Sequence, residues 1–461
     1  MTQTMSSAAT APTTQEPVLD AGKLVDDATL TGFHFRVLAF AAMAIILDGV
    51  DVQVLGFAAP SLMADWGVSK AALAPVLAVG LFGMMIGTTV GGILGDKFGR
   101  RIALLACLAT FGLATAAMAL ADTITALFLL RLVAGCGMGG LMPNAFSLVA
   151  EFSPLRRRTI LLTACIVCVP AGGVIGGLLA ASLLPTIGWR GLLAVAGCAP
   201  LLLGACLFFL LPESPRFLAE RMEGWAKLSK LLPRLGIPIP DKARFAMPSR
   251  QVRRFGSPAE LLSPEYRRDT MLLWTAFFLC LAAVFLNFHW LPSMLVGAGY
   301  SVEVASAGLL AFNFGGVAAA LVAAWVISYT GSRLPLFLMA IGAAAVALVL
   351  YFFPPAPVEF PITLLVGLAL VGIGSSGLQA LLYTLASNMY PTGIRATGMG
   401  SAASMGRVGA IAITFVGAGV LARFGETGFY MTIVITLFGT AVALINIRKH
   451  VPKSGRLSEE I

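Results

Sequence analysis

Twelve apolar stretches, each long enough to cross a bilayer, dominate this 461-residue sequence. They run over about 33–59, 70–95, 101–121, 124–149, 159–184, 190–211, 270–295, 304–329, 333–353, 360–387, 395–422 and 426–447. Hydrocarbon offers backbone N–H and C=O groups no partners, so stretches of this kind must be helical. Charged residues make up 11% of the chain, against about 25% in soluble proteins. The expected fold class is an all-α membrane protein of twelve transmembrane helices.

The net charge of +9 invites a nucleic-acid reading, but the distribution of charge argues against it. With both termini placed on one side, 26 of the 31 Lys and Arg fall on that side. Lys70, Arg190 and Arg423 fall opposite, and Arg131 and Arg407 lie within helices. That asymmetry is the positive-inside signal, so both termini are expected in the cytoplasm and no nucleic-acid partner is needed. The seven cysteines all lie in apolar stretches and read as small packing residues, including the Cys165/Cys168 pair. Residues 1–32 lack a signal-peptide pattern and are expected to form a disordered cytoplasmic tail. Residues 212–269, rich in Pro and basic residues, read as a cytoplasmic linker with a short amphipathic helix near 216–232. The linker divides a bundle over 33–211 from a second over 270–447, and 448–461 is a second tail.

Weak internal repetition supports two halves. Gly99 and Arg101 after the second stretch correspond to Gly331 and Arg333 after the eighth, half a chain later. Pro154 and Arg158 after the fourth stretch correspond in the same way to Pro391 and Arg395 after the tenth. Parallel six-helix repeats are a known plan of secondary transporters.

Two acids stand out. Asp48 and Asp51 lie in the first apolar stretch, in AIILDGVDVQVLGF. A carboxylate at mid-bilayer opposes insertion by roughly 2.5–3.5 kcal/mol, and intramembrane acids commonly carry protons, cations or substrate. Their i, i+3 spacing puts both on one helix face.

Several motifs resemble one family. Gly92, Gly95, Asp96, Gly99, Arg100 and Arg101 resemble the G-x-x-x-D-x-x-G-R-[RK] loop of the major facilitator superfamily. Arg131, Gly135 and Gly139 resemble its fourth-helix motif, and PESPRFL at 212–218 is similar to its signature after the sixth helix. The D-G-x-D of residues 48–51 resembles the hallmark of the aromatic acid:proton symporters within it. The resemblance implies two pseudo-symmetric six-helix bundles, a monomer in a bacterial-type inner membrane, and alternating access. It also implies import of an aromatic carboxylate such as a hydroxybenzoate, benzoate or phenylpropionate. The alternative is a proton-coupled efflux antiporter for drugs or organic anions, or a symporter of a non-aromatic acid. No P-loop or catalytic constellation occurs, so neither an enzyme nor a cofactor is expected, with H⁺ as the coupling ion.

The expected proton site is Asp48 and Asp51, titrating as a coupled pair, with Arg131 at matching depth paired to Asp51. Arg407 has no acid at its depth in the second half, and its planar fork suits a carboxylate, so it is expected to bind the substrate. Asn144, Asn313, Gln379 and Tyr383 are further candidates for bonding ring hydroxyls, although single polar residues in such helices often tie two helices together. His289 beside Trp290 reads as an interfacial pair. Gly95, Asp96, Gly99, Arg100 and Arg101 are expected to act as a gating loop, the glycines bringing the second and eleventh helices together. Ser328 replaces the acid in the second copy of that loop. Lipid headgroups are the expected partners of Arg156, Arg157 and Arg158.

Overall fold

A computed structural model describes residues 18–239, 244–245, 258–357, 361–390 and 394–451. Pro391 and the side chain of Ser328 lie outside the described residues. Among those described, ten continuous helical segments are long and apolar enough to cross a membrane. Two of them are each broken by one glycine with left-handed φ, Gly188 at 67° and Gly425 at 58°. Twelve spans result. In the first half they are α1 Gly32–Trp66, α2 Lys70–Phe98, α3 Arg100–Met118, α4 Ile124–Phe152, α5 155–187 and α6 189–210. In the second half they are α7 Arg267–Gly297, α8 Val302–Thr330, α9 Arg333–Phe352, α10 Ile362–Met389, α11 395–424 and α12 426–446.

The repeat is written in the turns. Positive-φ glycines end α1 (Gly67) and α2 (Gly99), and their counterparts Gly299 and Gly331 follow α7 and α8. Gly188 and Gly425 complete a third matched pair. Only glycine adopts these angles without a Cβ penalty. Helix starts are capped alike: Ser69 accepts from the amide of Ala72 at α2, and Ser301 from that of Val304 at α8.

Close packing follows the same repeat. A β-carbon at Gly87 of α2 would overlap the Cys136 carbonyl of α4, and one at Gly139 would overlap that of Met84. In the second half, a β-carbon at Gly315 of α8 would overlap the Ala369 carbonyl of α10. Small residues at helix crossings let backbones meet where lipid gives no hydrophobic drive for association. α10 carries a π-turn at Ile373–Gly377, just before Gln379 and Tyr383.

Burial shows how the halves meet. Residues 48–60 of α1 and 280–295 of α7 are buried nearly all round. Residues 73–81 of α2 are almost as enclosed, whereas beyond Gly83 that helix buries little more than its glycine stripe toward α4. Contacts between halves cluster at the end remote from the termini. Gly56 of α1 lies against the Phe288 carbonyl of α7, and Gly177 of α5 against Leu310 of α8. The halves are thus joined at the far end, and the opening faces the side of the termini.

The structure departs from the sequence expectation in the length of the first helix and at residues 18–31, and it fills in the linker. α1 extends to Trp66, beyond the expected 33–59, so Asp48 and Asp51 flank its middle. Residues 18–31 are ordered. Asp20 caps a helix at Ala21–Asp26, Ala21 and Val25 are buried, and Asp26 pairs with Arg158 and with Arg216. Val18–Leu19 pairs in parallel with Arg244–Phe245 of the linker. The linker itself forms helices at Pro215–Ala219 and Trp225–Leu231.

Candidate functional site

Asp51 and Arg131 form a closed ion pair between α1 and α4. Arg131 Nη1 lies 2.9 Å from Asp51 Oδ2, and Thr115 of α3 donates to Asp51 Oδ1 at 2.5 Å. The guanidinium also donates to the backbone carbonyls of Asp51 and Val52 at 3.2 Å. Asp51 is 0% and Arg131 3% exposed. Such a pair persists in low dielectric because further hydrogen bonds satisfy most of its remaining atoms, Arg131 Nε alone staying buried without a partner. Gly80 of α2 makes room for it, since a β-carbon there would sit 2.9 Å from Arg131 Nε.

Asp48, one turn away, is different. It is 1% exposed, and its Oδ1 has no hydrogen-bond partner. Four charged or polar groups reach it through space: Asp51, Arg131, Cys107 of α3 and, from the opposite half, Arg407. Arg407 of α11 is half-buried and makes no hydrogen bond or ion pair among the described residues. Its charge also reaches Tyr383 of α10, whose ring meets Phe277 of α7 edge-on at 5.1 Å. Tyr383 and Gln379, a turn apart on α10, are half-buried with no hydrogen bond among the described residues. Asp48 is therefore a buried carboxyl with one oxygen unmatched, within electrostatic reach of the second half's unpaired cation.

The remaining expected residues lie elsewhere. Asn144 donates to the carbonyls of Gly91 and Gly140 at 2.8 Å, tying α2 to α4. Both its amide hydrogens are used, which leaves no donor for a solute. Asn313 exchanges two hydrogen bonds with Gln53, at 2.7 and 3.2 Å, joining α8 to α1 across the halves. His289 is buried, bonded to Thr414 of α11 at 2.9 Å, and not at a lipid interface.

The loop after α2 is a network. Arg100 pairs with Asp96 at 2.7 Å and with Glu151 of α4 at 3.2 Å, while the Asp96 side chain stays 69% exposed. Ser214 donates to Glu151. Glu213 accepts from the amides of Arg101 at 3.1 Å and Ser214 at 2.9 Å. Burial raises the Glu213 carboxyl above the usual carboxylate range, against the pull of those amides. The glycines do not meet α11 as expected. A β-carbon at Gly95 would overlap Asn144 and one at Gly99 would overlap Glu213, so they seat α2 against α4 and the linker. The reason is the opening on this side, which keeps the halves apart.

Sequence reading missed Gln53, Thr115, Glu151 and Glu213. Gln53 had a signal, a polar side chain two residues past the acids. Thr115 had none, because threonine is common in such helices. Among the described residues no group of His, Cys, Asp and Glu is arranged to hold a metal.

Comparison with known proteins agrees with this architecture. The model of the Major Facilitator Superfamily matches residues 41–359. A gallate transporter of Pseudomonas putida is 34% identical, over 91% of this chain and 92% of its own. A 4-hydroxybenzoate transporter of Acinetobacter baylyi is 34% identical, over 94% of each chain. A benzoate transport protein of the same organism is 29% identical, over 85% of this chain and 84% of its own. Among solved structures, the inward open xylose transporter from E. coli superposes with a TM-score of 0.69 at 18% identity, over 92% of this chain and 99% of that one. A likeness at that identity speaks for the fold alone. The chain belongs to the major facilitator superfamily and, within it, to the family of aromatic acid transporters.

Proposed function

We propose that this protein imports an aromatic carboxylate of the hydroxybenzoate, benzoate or phenylpropionate type together with protons, by alternating access. The observation that carries the reading is Arg407: a half-buried guanidinium without a partner among the described residues, within electrostatic reach of Asp48 across the halves. A half-buried guanidinium with no protein partner suits an anion, and a carboxylate fits its fork bidentately. Relatives named for gallate, 4-hydroxybenzoate and benzoate supply the ring. Tyr383, backed by the buried Phe277, offers a ring a wall, and Tyr383 and Gln379 offer its hydroxyls polar partners.

Asp48 is the proton carrier in this scheme. It is the one acid of the pair with an unmatched carboxyl oxygen, whereas Asp51 is held by Arg131 and Thr115. The carboxylate arriving at Arg407 changes the field at Asp48, and this couples the two cargoes. Rocking of the halves breaks the Gln53–Asn313 contact at the far end and closes the side of the termini, where the Arg100 network seats α2. The bias of Lys and Arg supports cytoplasmic termini; in this reading the molecule works in the inner membrane as a monomer without a resident cofactor. Uptake into proteoliposomes tests the reading with labelled benzoate, 4-hydroxybenzoate, gallate and a non-aromatic acid. Accumulation of an aromatic acid under an inward proton gradient supports it. Depletion under that gradient, or preference for the non-aromatic acid, contradicts it.

A further inference from the structure

A basic cavity of about 460 Å³ opens on the side of the termini, between the α2–α3 turn and the linker helices. Five cations line it: Arg101, Arg221, Lys227, Lys230 and Arg234. Lys227 and Lys230 come from the helix Trp225–Leu231 and Arg234 from the 3-10 turn that follows it, and none of the three makes a hydrogen bond or ion pair among the described residues. Arg101 donates to the Phe208 carbonyl and lies over that ring at 5.5 Å, but its Nε is buried without a partner. Glu213 is the one acid of the lining, and its carboxylate is bonded to backbone amides. Burial raises its pKa, which weakens it further as a counter-ion. Phe98 and Ile102 supply apolar walls.

A second cavity, of about 400 Å³, lies between α3 and α6 and is apolar throughout, lined by Leu105, Ala109, Leu201 and Phe208 among others. Phe208, stacked under Arg101, separates the two. Ile102 of the first cavity and Leu105 and Ala109 of the second follow one another on a single face of α3. A charged chamber at the membrane boundary thus adjoins a greasy groove along α3 and α6, with Phe208 between them.

We propose that these cavities bind one anionic phospholipid, its phosphate among the five cations and an acyl chain in the α3–α6 groove. A free phosphate would use the cations and leave the groove empty; a neutral lipid would use the groove and leave the cations unanswered. Basic pockets at this level of a membrane protein suit anionic headgroups. The site is independent of the transported substrate. Its consequence is structural: the lipid ties the linker to the end of α3, beside the Arg100 network that closure must rearrange.

Native mass spectrometry of the delipidated full-length protein tests this with phosphatidylglycerol and phosphatidylcholine of equal chain length. Phosphatidylglycerol should bind about tenfold more tightly or better. A variant carrying Lys227→Gln, Lys230→Gln and Arg234→Gln should lose that preference, while Lys227→Arg with Lys230→Arg keeps it. Ala109→Trp, which fills the groove, should weaken both lipids. Millimolar inorganic phosphate should not displace the bound lipid. Equal affinity for the two lipids in the unmodified protein, an unchanged preference in the triple variant, or displacement by phosphate would each overturn the assignment. If the triple variant does not fold, the two-lipid comparison and Ala109→Trp decide.

Discussion

Gln53 and Asn313 hold each other by both amide groups, at 2.7 and 3.2 Å, and no other pair of described side chains is hydrogen-bonded between the two halves. Gly173 of α5 leaves the space they occupy, since a β-carbon there would overlap both amides. The pair can exist only while the far end is closed. Intramembrane hydrogen bonds contribute about 0.6 kcal/mol each on average. Replacing both residues with leucine should therefore shift the balance toward far-side opening by about 1 kcal/mol, a factor of about five. Labelling of a cysteine introduced near Gly56 from the far side should rise by that factor. Unchanged labelling would mean that the pair does not latch this state.

Asp48 and Asp51 should separate when each is changed to asparagine. Asp51→Asn strands the buried Arg131 charge, and breaking such a pair costs about 3–5 kcal/mol. The expected outcome is a marked drop in folded yield and melting temperature. Asp48→Asn removes no hydrogen bond from its Oδ1 and should leave the melting temperature within a few degrees. Equal destabilisation by the two changes would contradict the assignment of separate roles.

Arg407→Gln should raise the apparent KM for an aromatic carboxylate by about tenfold or more, given that charged hydrogen bonds contribute about 1.5–3 kcal/mol. Arg407→Lys keeps the charge but loses the fork, and should recover only part of the affinity. An unchanged KM in both would remove Arg407 from the binding site.

Gly139→Val should prevent correct packing of α4 on α2, because its β-carbon has no room beside the Met84 carbonyl. Size-exclusion chromatography of the detergent-purified variant should show aggregation in place of a monodisperse peak. Gly342, where a β-carbon meets nothing, gives the contrast: Gly342→Ala should behave as the unmodified protein.

Much of this was legible because lipid is an unforgiving solvent. The spans and the Asp51–Arg131 pairing follow from the demand that backbone and charge find partners inside the chain. Asn144 and Asn313 were harder to place. A polar side chain in an apolar helix looks the same in sequence whether it faces a neighbouring helix or a chamber, and both of these face neighbours. The order of residues 18–31 was hidden for another reason. It rests on Asp26 meeting Arg158 and Arg216, which lie far off in sequence. Gly95 and Gly99 were placed against α11, but the glycine pattern is silent about which side of the molecule is open.

The account rests on Asp48 moving the proton while Arg407 holds the carboxylate. The most direct test follows internal pH with a trapped dye when an aromatic acid is added outside proteoliposomes. Electroneutral exchange of labelled for unlabelled substrate is measured alongside. With Asp48→Asn, substrate-driven acidification should vanish while exchange continues. Acidification equal to that of the unmodified protein in Asp48→Asn would contradict it.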